Sequence, residues 1–520
     1  MLYVSGYKEG KSLYGVTDTD DGTTQWLSKR KLISVASKLA SCGISISGVE
    51  GDVVFVITRS SNGQTYEERV KAWLSKMAVL GLSKFYVFDE SYSTLVKYTG
   101  RYTDASVIKL PPVRRIGEKC FSQLGCLSCE FVAGAVISRT DIINIPYGLG
   151  ITHEGVCIEF NSEIKEIGSR AFEGMYISSF SGDTSGVVSI GSLAFAGVAS
   201  YGDNELHLSF LNVETIEVGA FAYPNSVIKD DSSLLSLSLG DKLEKIESCL
   251  CYGTALRDVK LPKNLREIDE NAFRFCELRH VNFPKGLTKI DNHAFYDTKL
   301  EDIFLPEGLE YIGTEAFAKC PIIGDDEELP LFDLVIPDSV DYIGSEAFSC
   351  FSHIRSIEMT CTQDTVLGSG IFQACGNLES VAIHGVVQRM DYLFKDCSSL
   401  KYVELPEVGM LDTLVFSGCV SLEKIHIKPG VRRIGQRCFY NCSSLKEVNI
   451  PDTVLMISVK AFCGCDDLLN VVVPKSVIVC GDDAFSLKDT SYLRHSVTFL
   501  GDVNTENVAK GREIIRGSSD

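Results

Sequence analysis

Residues 256–276 read LRDVKLPKNLREIDENAFRFC, and this unit decides the fold because it recurs along the chain. The recurrence runs from about residue 155 to about residue 490, and from Phe372 onward the central phenylalanine returns every 22 or 23 residues. A fixed period of this length is typical of coils stacked in a solenoid. Leu250 replaces the phenylalanine in one coil, and the anchoring phenylalanines are Phe172, Phe195, Phe221, Phe273, Phe295, Phe317, Phe348, Phe372, Phe394, Phe416, Phe439, Phe462 and Phe485.

Each repeat follows from simple physical rules. Leu256, Val259 and Leu261 are separated by polar residues, as in a short strand with one buried face. A proline ends the strand because it has no N–H to donate to the next coil. The Ile-Gly or Ile-Asp pair that follows predicts a turn in which Gly or Asp adopts left-handed backbone, while the phenylalanine fills the coil. The strand-ending prolines are Pro262, Pro284, Pro306, Pro337, Pro406, Pro451 and Pro474.

The pattern resembles the BspA-like leucine-rich repeat, whose segments L-x-x-I-x-L-P, I-G-x-x-A-F and x-x-C-x-x-L recur here in one register. The resemblance covers roughly two thirds of the chain. It implies a right-handed, non-enzymatic solenoid used for binding, often in surface or host-contact proteins. The chain departs from the pattern at residues 248–250, and again where the step from Phe317 to Phe348 lengthens to 31 residues around the acidic segment 324–328.

The parts outside the regular repeats complete the domain organisation. Amphipathic spacing predicts helices over residues 25–41 and 66–80, and alternating apolar residues predict strands over 52–58 and 84–89. The predicted fold class is an α+β N-terminal domain followed by a leucine-rich-repeat solenoid with one short strand per coil. Its parts are a small α/β or α+β domain of unknown role (1–105), a degenerate first coil and N-terminal cap (106–155), about 14 repeat coils (156–490), and a C-terminal cap strand with a polar tail (491–520).

Composition and charge exclude some classes of function. The 520 residues include 69 acidic and 50 basic ones, which gives a net charge of −19 and favours a basic or neutral partner over nucleic acid. No stretch approaches the 18 apolar residues of a membrane span, and the N-terminus lacks the features of a signal peptide. We therefore expect a cytoplasmic protein, with a surface adhesin exported without a visible leader as the alternative. The oligomeric state stays open.

Catalytic motifs are missing from the sequence. No nucleophile elbow, metalloprotease or phosphate-binding loop motif is present, and the pair Cys126 and Cys129 has no second pair to complete a zinc site. We therefore predict a non-enzymatic protein with no cofactor and no metal. One alternative is an enzyme with its active site in residues 1–105, where Asp52, Asp89 and Glu90 lie at predicted strand ends, and with the repeats as a recruiting arm.

Seven of the 19 cysteines follow the anchoring phenylalanine by three residues. Their fixed place in the repeat indicates a structural position, and a long chain without a leader favours reduced thiols. Stacked coils would place successive members about 4.8 Å apart, so oxidation could in principle link neighbouring coils. We predict buried, unreactive thiols. The seven are Cys276, Cys320, Cys375, Cys397, Cys419, Cys442 and Cys465.

The outward strand residues form the candidate binding face. Because side chains alternate along a strand, successive coils should align two parallel columns of outward residues. Phe304 and Tyr402 resemble aromatic interface anchors on this face, although an ordinary solvated surface is the other interpretation. The predicted protein-binding residues are Asp258, Lys260, His280, Asn282, Asp302, Phe304, Ser356, Glu358, Tyr402, Glu404, Lys424, His426, Glu447 and Asn449.

Overall fold

A computed structural model of the chain describes most of the repeat region and parts of the N-terminal segment. The described residues are 2–8, 13–18, 24–28, 66–79, 83–100, 107–121, 156–175, 177–199, 205–223, 234–320, 330–487, 496–503, 506, 508–510 and 512–516. The chain forms two compact units, Met1–Pro262 and Lys263–Asp520. No helix among the described residues is long and apolar enough to cross a membrane.

The first unit contains one α-helix, α1 (Tyr66–Val79), a 3₁₀ turn (Ser83–Phe85) and sixteen strands. These counts refer to its described residues. The strands are β1 (Leu2–Lys8), β2 (Leu13–Asp18), β3 (Thr24–Ser28), β4 (Tyr86–Phe88), β5 (Thr94–Tyr98), β6 (Val107–Lys109), β7 (Arg115–Ile116), β8 (Val156–Phe160), β9 (Glu166–Ile167), β10 (Ile177–Gly182), β11 (Ser189–Ile190), β12 (Leu206–Phe210), β13 (Thr215–Ile216), β14 (Leu234–Leu239), β15 (Lys245–Ile246) and β16 (Asp258–Lys260).

The described part of the second unit consists of strands and turns. Its strands are β17 (Glu267–Ile268), β18 (Lys289–Ile290), β19 (Tyr311–Ile312), β20 (Phe332–Ile336), β21 (Tyr342–Ile343), β22 (Ile354–Cys361), β23 (Val366–Leu367), β24 (Ser380–Val387), β25 (Tyr402–Glu404), β26 (Glu407–Val408), β27 (Met410–Leu411), β28 (Lys424–His426), β29 (Arg433–Ile434), β30 (Glu447–Asn449), β31 (Met456–Ile457), β32 (Asn470–Val473), β33 (Val479–Cys480), β34 (Ser496–Phe499) and β35 (Glu513–Arg516).

Most coils carry two strand segments, where the sequence predicted one. The longer segment is the predicted outward strand, as in β20, β22 and β24, which pair in parallel. The second is a two-residue strand with its isoleucine buried, and β17, β18, β19, β21 and β23 pair in parallel in that order. The Ile-Gly and Ile-Asp pairs that were predicted as turns supply this second sheet. Identical segments stack in register, so N–H groups of one coil meet carbonyls of the coils before and after it, as in Thr288 N to the Arg266 carbonyl and Phe273 N to the Ala294 carbonyl.

The N-terminal segment differs from the prediction over residues 25–28. They belong to β3, which pairs antiparallel with β2, and β2 pairs antiparallel with β1. A helix from residue 25 is therefore wrong for these four positions, because the alternating stretch from Thr24 to Ser28 completes an antiparallel sheet. The rest of that predicted helix, and the predicted strand over 52–58, lie outside the described residues. The helix predicted over 66–80 is present as α1.

Helix α1 and strands β4 and β5 pack onto the first coils of their unit. Val70, Leu74, Met77 and Ala78 are buried at the spacing of one helix face. Strand β5 pairs in parallel with β7, so the sheet of the coils already begins on the N-terminal side of residue 105. Aromatic contacts continue into the core, with ring centroids 4.9 Å apart for Trp73–Tyr86, 5.1 Å for Tyr86–Tyr98 and 5.4 Å for Tyr98–Phe121.

The anchoring phenylalanines form a stack of nearly parallel rings inside each unit. In the first unit the stack joins Phe121, Phe172, Phe195 and Phe221, with centroids 4.9–5.3 Å apart. Leu250 holds the same place in the next coil and is fully buried. In the second unit ten rings, one per coil, stack with centroids 5.0–5.8 Å apart; they run from Phe273 to Phe485.

The turn before each phenylalanine contains left-handed backbone, but not at the predicted residue. Glu315 and Glu346, two positions after the glycine, have φ of 52° and 56°. Gly313 and Gly344 have no positive φ and are needed for close approach instead. A Cβ at Gly344 would lie 2.3 Å from the backbone nitrogen of Thr314, well inside van der Waals contact. The predicted left-handed glycine is therefore wrong, because here glycine relieves crowding between coils and the strain lies at the glutamates.

Candidate functional site

The outward residues of the longer strands form the predicted columns wherever the strands pair. Strands β22, β24 and β25 align so that Ser356, Ser380 and Tyr402 occupy one column. Glu358, Ala382 and Glu404 occupy the second. Further along, β28 and β30 place Lys424 opposite Glu447 and His426 opposite Asn449. We call the outward residues of the second unit from His280 to Asn449 the strand face.

The predicted site residues divide between the two units. Asp258 and Lys260 lie on β16 in the first unit, and the other twelve lie in the second. Twelve of the fourteen are exposed, and Asp302 and Ser356 are half-buried. The predicted alternation of outward and inward side chains is therefore present. In the second unit, the candidate site is the strand face.

Two of the predicted pairs do not lie on strands. The segments around His280 and Asn282, and around Asp302 and Phe304, have no strand pairing. One backbone hydrogen bond joins these two segments, from Glu301 N to the carbonyl of Arg279 at 3.0 Å. The side chains still point outward, and His280 Nδ1 lies 2.9 Å from Asp302 Oδ1. The outward position of these residues was correct, and their assignment to strands was wrong.

Charged side chains of the strand face pair between neighbouring coils. The pairs join a basic residue of one coil to an acidic residue of the next, and each partner lies on or directly before the two columns. Since these charges satisfy one another, the paired side chains add no net charge to the face. The ion pairs are Arg279–Glu301 (2.7 Å), Arg355–Asp333 (2.5 Å), Lys401–Glu379 (3.3 Å), Lys446–Glu423 (2.9 Å) and Lys424–Glu447.

Sequence reasoning counted the coil of Pro337 and Phe348 but left the outward residues of its strand, β20, out of the predicted columns. Asp333 lies opposite Ser356, and Val335 lies opposite Glu358. Arg355 and Ser356 donate hydrogen bonds to Asp333, and these bonds hold the pKa of its carboxyl below the usual value. The lengthened step between Phe317 and Phe348 moved these outward residues away from the regular spacing. The stretch LVIPDSV at 334–340 was the available signal, since it carries the strand-ending proline.

Two aromatic side chains stand out on the strand face. Phe304 is 73% exposed and Tyr402 is 70% exposed. Phe304 occupies the second column, one coil before Val335, which is 56% exposed. Aromatic residues that are this exposed offer a large apolar area at little cost in conformational entropy.

The cysteines at the repeat position are buried, reduced, and hydrogen-bonded to the coil before. Burial raises the pKa of the Cys375 thiol to about 12. In six of the seven, the thiol donates to the carbonyl of the phenylalanine in the preceding coil, which also accepts a hydrogen bond from within its own coil, as from Cys397 N to the Phe394 carbonyl at 3.3 Å. These Sγ–O distances are 3.2 Å for Cys320–Phe295 and Cys375–Phe348, and 3.1 Å for Cys397–Phe372, Cys419–Phe394, Cys442–Phe416 and Cys465–Phe439.

The described residues contain no group of three or more His, Cys, Asp and Glu side chains placed to hold a metal ion. Cys126, Cys129 and Asp52 lie outside the described residues. Asp89, proposed above as part of an N-terminal active site, instead holds together its own hairpin turn. Its carboxylate accepts hydrogen bonds from the Ser91 hydroxyl at 2.9 Å and from the Thr94 N–H at 3.1 Å.

Solved structures with similar coils come from several bacteria. A leucine-rich repeat protein of Bacteroides ovatus is 23% identical, with a TM-score of 0.48, and the match covers 75% of this chain and 87% of that one. A leucine-rich cell surface protein of Faecalibacterium prausnitzii is 20% identical (TM-score 0.35; 72% and 88% covered). The pneumococcal vaccine antigen PcpA is 14% identical (TM-score 0.38; 82% and 93% covered). No curated protein matches the chain.

The match to a family model rests on the repeats themselves. The model of the BspA type leucine-rich repeat region matches in 6 copies, over residues 156–230, 224–324, 327–413 and 365–494. These residues include the phenylalanine stack from Phe172 to Phe485 and the cysteines bonded to it. The resemblance inferred from the repeat pattern is thereby confirmed. The chain belongs to the BspA-type leucine-rich repeat family.

Proposed function

We propose that this protein is a non-catalytic binding protein that uses the strand face to hold another protein. The observation that carries the proposal is the exposure of Phe304 and Tyr402, at 73% and 70%, on a surface of stacked coils. Interface hot spots are enriched in aromatic residues that bury on contact with a partner. Buried rings of the phenylalanine stack lie in the coils that carry both residues.

The paired charges describe the kind of partner that fits. Arg355 with Asp333, and Arg279 with Glu301, already satisfy each other and offer few free charges to a partner. A partner would therefore bind by apolar contacts to Phe304, Val335 and Tyr402, surrounded by a polar rim. The net charge of −19 adds a long-range preference for a basic or neutral partner.

The test compares capture of a partner by variants of the full chain. The wild-type chain and the double variant Phe304→Ala with Tyr402→Ala are used to capture proteins from a lysate of the source cells, and affinity for the captured protein is then measured. We expect the double variant to bind at least tenfold more weakly while its melting temperature stays within about 1 °C, because both side chains are exposed.

Val472→Ala is the matched control. Val472 is 55% exposed on β32, outside the strand face, and its truncation should leave affinity unchanged. If the double variant binds as tightly as wild type, the strand face is not the binding surface and the proposal fails.

We also infer that the N-terminal segment localises the protein or supplies a second contact, as a small α+β domain. Because α1 packs on the first coils, a truncation that tests this segment should begin at residue 65, not at 106. A chain of residues 65–520 that binds its partner and distributes in the cell as wild type does would overturn the inference. Fractionation of the source cells distinguishes the cytoplasmic prediction from the cell-surface alternative.

A further inference from the structure

Two coils near the end of the second unit expose apolar residues on the second sheet, away from the strand face. Strands β31 and β33 pair in parallel, with Met456 opposite Val479. Leu455 and Ile478 directly precede them, and Ile478 N donates to the Leu455 carbonyl at 2.9 Å. The exposed fractions are 42% for Leu455, 36% for Met456, 69% for Ile478 and 44% for Val479. We call these four residues the apolar strip.

Other coils show which residue types can occupy the repeat position of Leu455 and Ile478. Backbone hydrogen bonds place Arg266, Thr288, Glu310 and Asp341 in successive coils at the position that Leu455 and Ile478 occupy. All four are polar or charged. Stacking of the coils therefore does not require an apolar residue at this position. Val366, in the coil after Asp341, is also apolar, but Leu455 and Ile478 are apolar in two consecutive coils. Contiguous exposed apolar residues that the fold does not need are typical of an interaction site.

Two arginines border the strip in the coil before it. Leu455 N donates to the Arg432 carbonyl at 2.8 Å, and Arg433 lies opposite Met456. Arg433 Nε lies 3.4 Å from the Ser458 hydroxyl, and neither guanidinium has a carboxylate partner among the described residues. This differs from the strand face, where basic side chains are paired. Two unpaired positive charges beside an apolar surface favour a ligand that is both apolar and acidic.

The size of the strip decides between a short segment and a second copy of the chain. Four partly exposed aliphatic side chains offer on the order of 300 Å² of apolar surface, whereas a stable dimer buries ~800 Å² on each partner. An area of this size matches one face of a helix of two or three turns. The surface is therefore too small for a dimer of whole chains and suits a single helix.

We propose that the apolar strip binds a short amphipathic helix of another protein. Apolar residues of that helix at i, i+3 and i+4 pack on Leu455, Met456, Ile478 and Val479. Acidic residues at one edge of the helix pair with Arg432 and Arg433. This site is independent of the strand face, and either can exist without the other.

The experiment uses the full chain and a defined probe. The probe is a fluorescently labelled 18-residue synthetic peptide with leucines on one helical face and glutamates on the other, and binding is followed by anisotropy. We expect saturable binding that Ile478→Asp weakens at least tenfold. Val366→Asp is the matched control, because Val366 is 52% exposed on strand β23 of the second sheet in a distant coil. It should bind the probe as wild type does.

A charge exchange tests the arginines separately. The double variant Arg432→Glu with Arg433→Glu should lose the glutamate peptide and gain binding to a peptide in which lysines replace the glutamates. Ile478→Thr repeats the test with a neutral residue, should Ile478→Asp lower the melting temperature.

Three results would overturn the proposal. The first is the absence of binding to the glutamate peptide at 1 mM. The second is binding of wild type to phosphatidylserine vesicles in place of the peptide, which would assign the strip to a membrane surface. The third is a dimer of wild type in sedimentation that Ile478→Asp converts to monomer, which would assign the strip to a second copy.

Discussion

At the scale of single residues, the repeat cysteines show why a sulfur atom suits a buried turn. Cys419 fills a small apolar space and still donates a hydrogen bond to the carbonyl of Phe394. Alanine would fill only part of the space and would remove this hydrogen bond, while the Phe394 carbonyl would keep its bond from Cys397 N at 3.3 Å. The cysteine is thus both a packing residue and a donor, and its chemistry as a nucleophile is suppressed by burial.

The first prediction concerns the reactivity of these thiols. Burial raises the pKa of Cys320 and Cys375 to about 12, so almost no thiolate forms at pH 7. With iodoacetamide at neutral pH, mass spectrometry should find Cys157 and Cys350, which are half-buried, labelled first. The repeat cysteines should react only after denaturant is added. Equal labelling rates for both groups in the native protein would contradict this account.

The second prediction concerns a buried histidine. His353 is fully buried, and neither ring nitrogen has a hydrogen-bond partner among the described residues. Burial lowers the pKa of His353 below its ordinary 6.5, and Glu301 opposes the shift only in part. As the pH falls below 6.5, the unfolded chain binds a proton that the folded chain refuses, so stability is lost by up to about 1.4 kcal/mol per pH unit.

Urea unfolding between pH 8 and pH 5 measures this effect. His353→Leu should flatten the dependence of the unfolding free energy on pH over that range, because leucine cannot titrate. A variant that keeps the full slope of wild type would show that other groups cause it.

At the scale of elements, the ends of the coil stack need partners that the regular coils obtain from one another. Near the end of the second unit, the buried Arg512 takes over this role. Its guanidinium donates to the carbonyls of Phe485 at 2.7 Å, Cys465 at 2.8 Å and Leu468. The Cys465 carbonyl also accepts a hydrogen bond from Leu468 N at 3.3 Å, and Arg512 links all three carbonyls at this end of the stack. Strands β34 and β35 extend the sheet of longer strands beyond β32, next to Arg512.

The third prediction is that Arg512→Met weakens this end of the stack. Loss of three hydrogen bonds to buried carbonyls should cost about 2–4 kcal/mol. Hydrogen exchange followed by mass spectrometry should show faster exchange over residues 470–503. Arg516→Met is the matched control, because the Arg516 side chain is 62% exposed and surface ion pairs contribute little. Equal exchange in both variants would mean that Arg512 does not close the core.

At the scale of the whole molecule, stability is a sum of contacts between neighbouring coils. Along the stack, a phenylalanine touches the rings of the coils before and after it, as Phe394 does with Phe372 and Phe416. A defect in one coil therefore has a limited range. The chain should unfold in segments and not in a single cooperative step.

The fourth prediction tests this limited range. Phe394→Ala should destabilise its region by about 3–5 kcal/mol, because a buried ring is replaced by a cavity. Phe394→Leu should cost less, since Leu250 fills the equivalent buried place elsewhere. Hydrogen exchange should increase from residue 372 to residue 416 and stay as in wild type around Phe172. A uniform increase along the chain would favour cooperative unfolding of the whole molecule.

The sequence predicted those residues whose environment repeats. Phe394 and Cys419 could be placed because every coil needs a large apolar filler and a small donor at fixed spacing. Val335 was missed because an insertion broke the spacing before it. Arg512 could not be found from a period, since a residue that ends a stack occurs once. Gly344 was predicted for left-handed backbone, but the glycine is needed for close approach. Crowding between coils depends on distances across the sheet and not on the local sequence.

The hydrogen bond from each repeat cysteine to the coil before it has a consequence for inheritance. From Phe372 to Phe462 every coil presents the same ring and the same thiol to its neighbours, so a duplicated coil would find fitting surfaces on both sides. Unequal recombination between the coding repeats adds or deletes 22 or 23 codons in frame. A lineage can thus lengthen or shorten the protein one coil at a time, and each added coil brings two new outward positions for selection to modify.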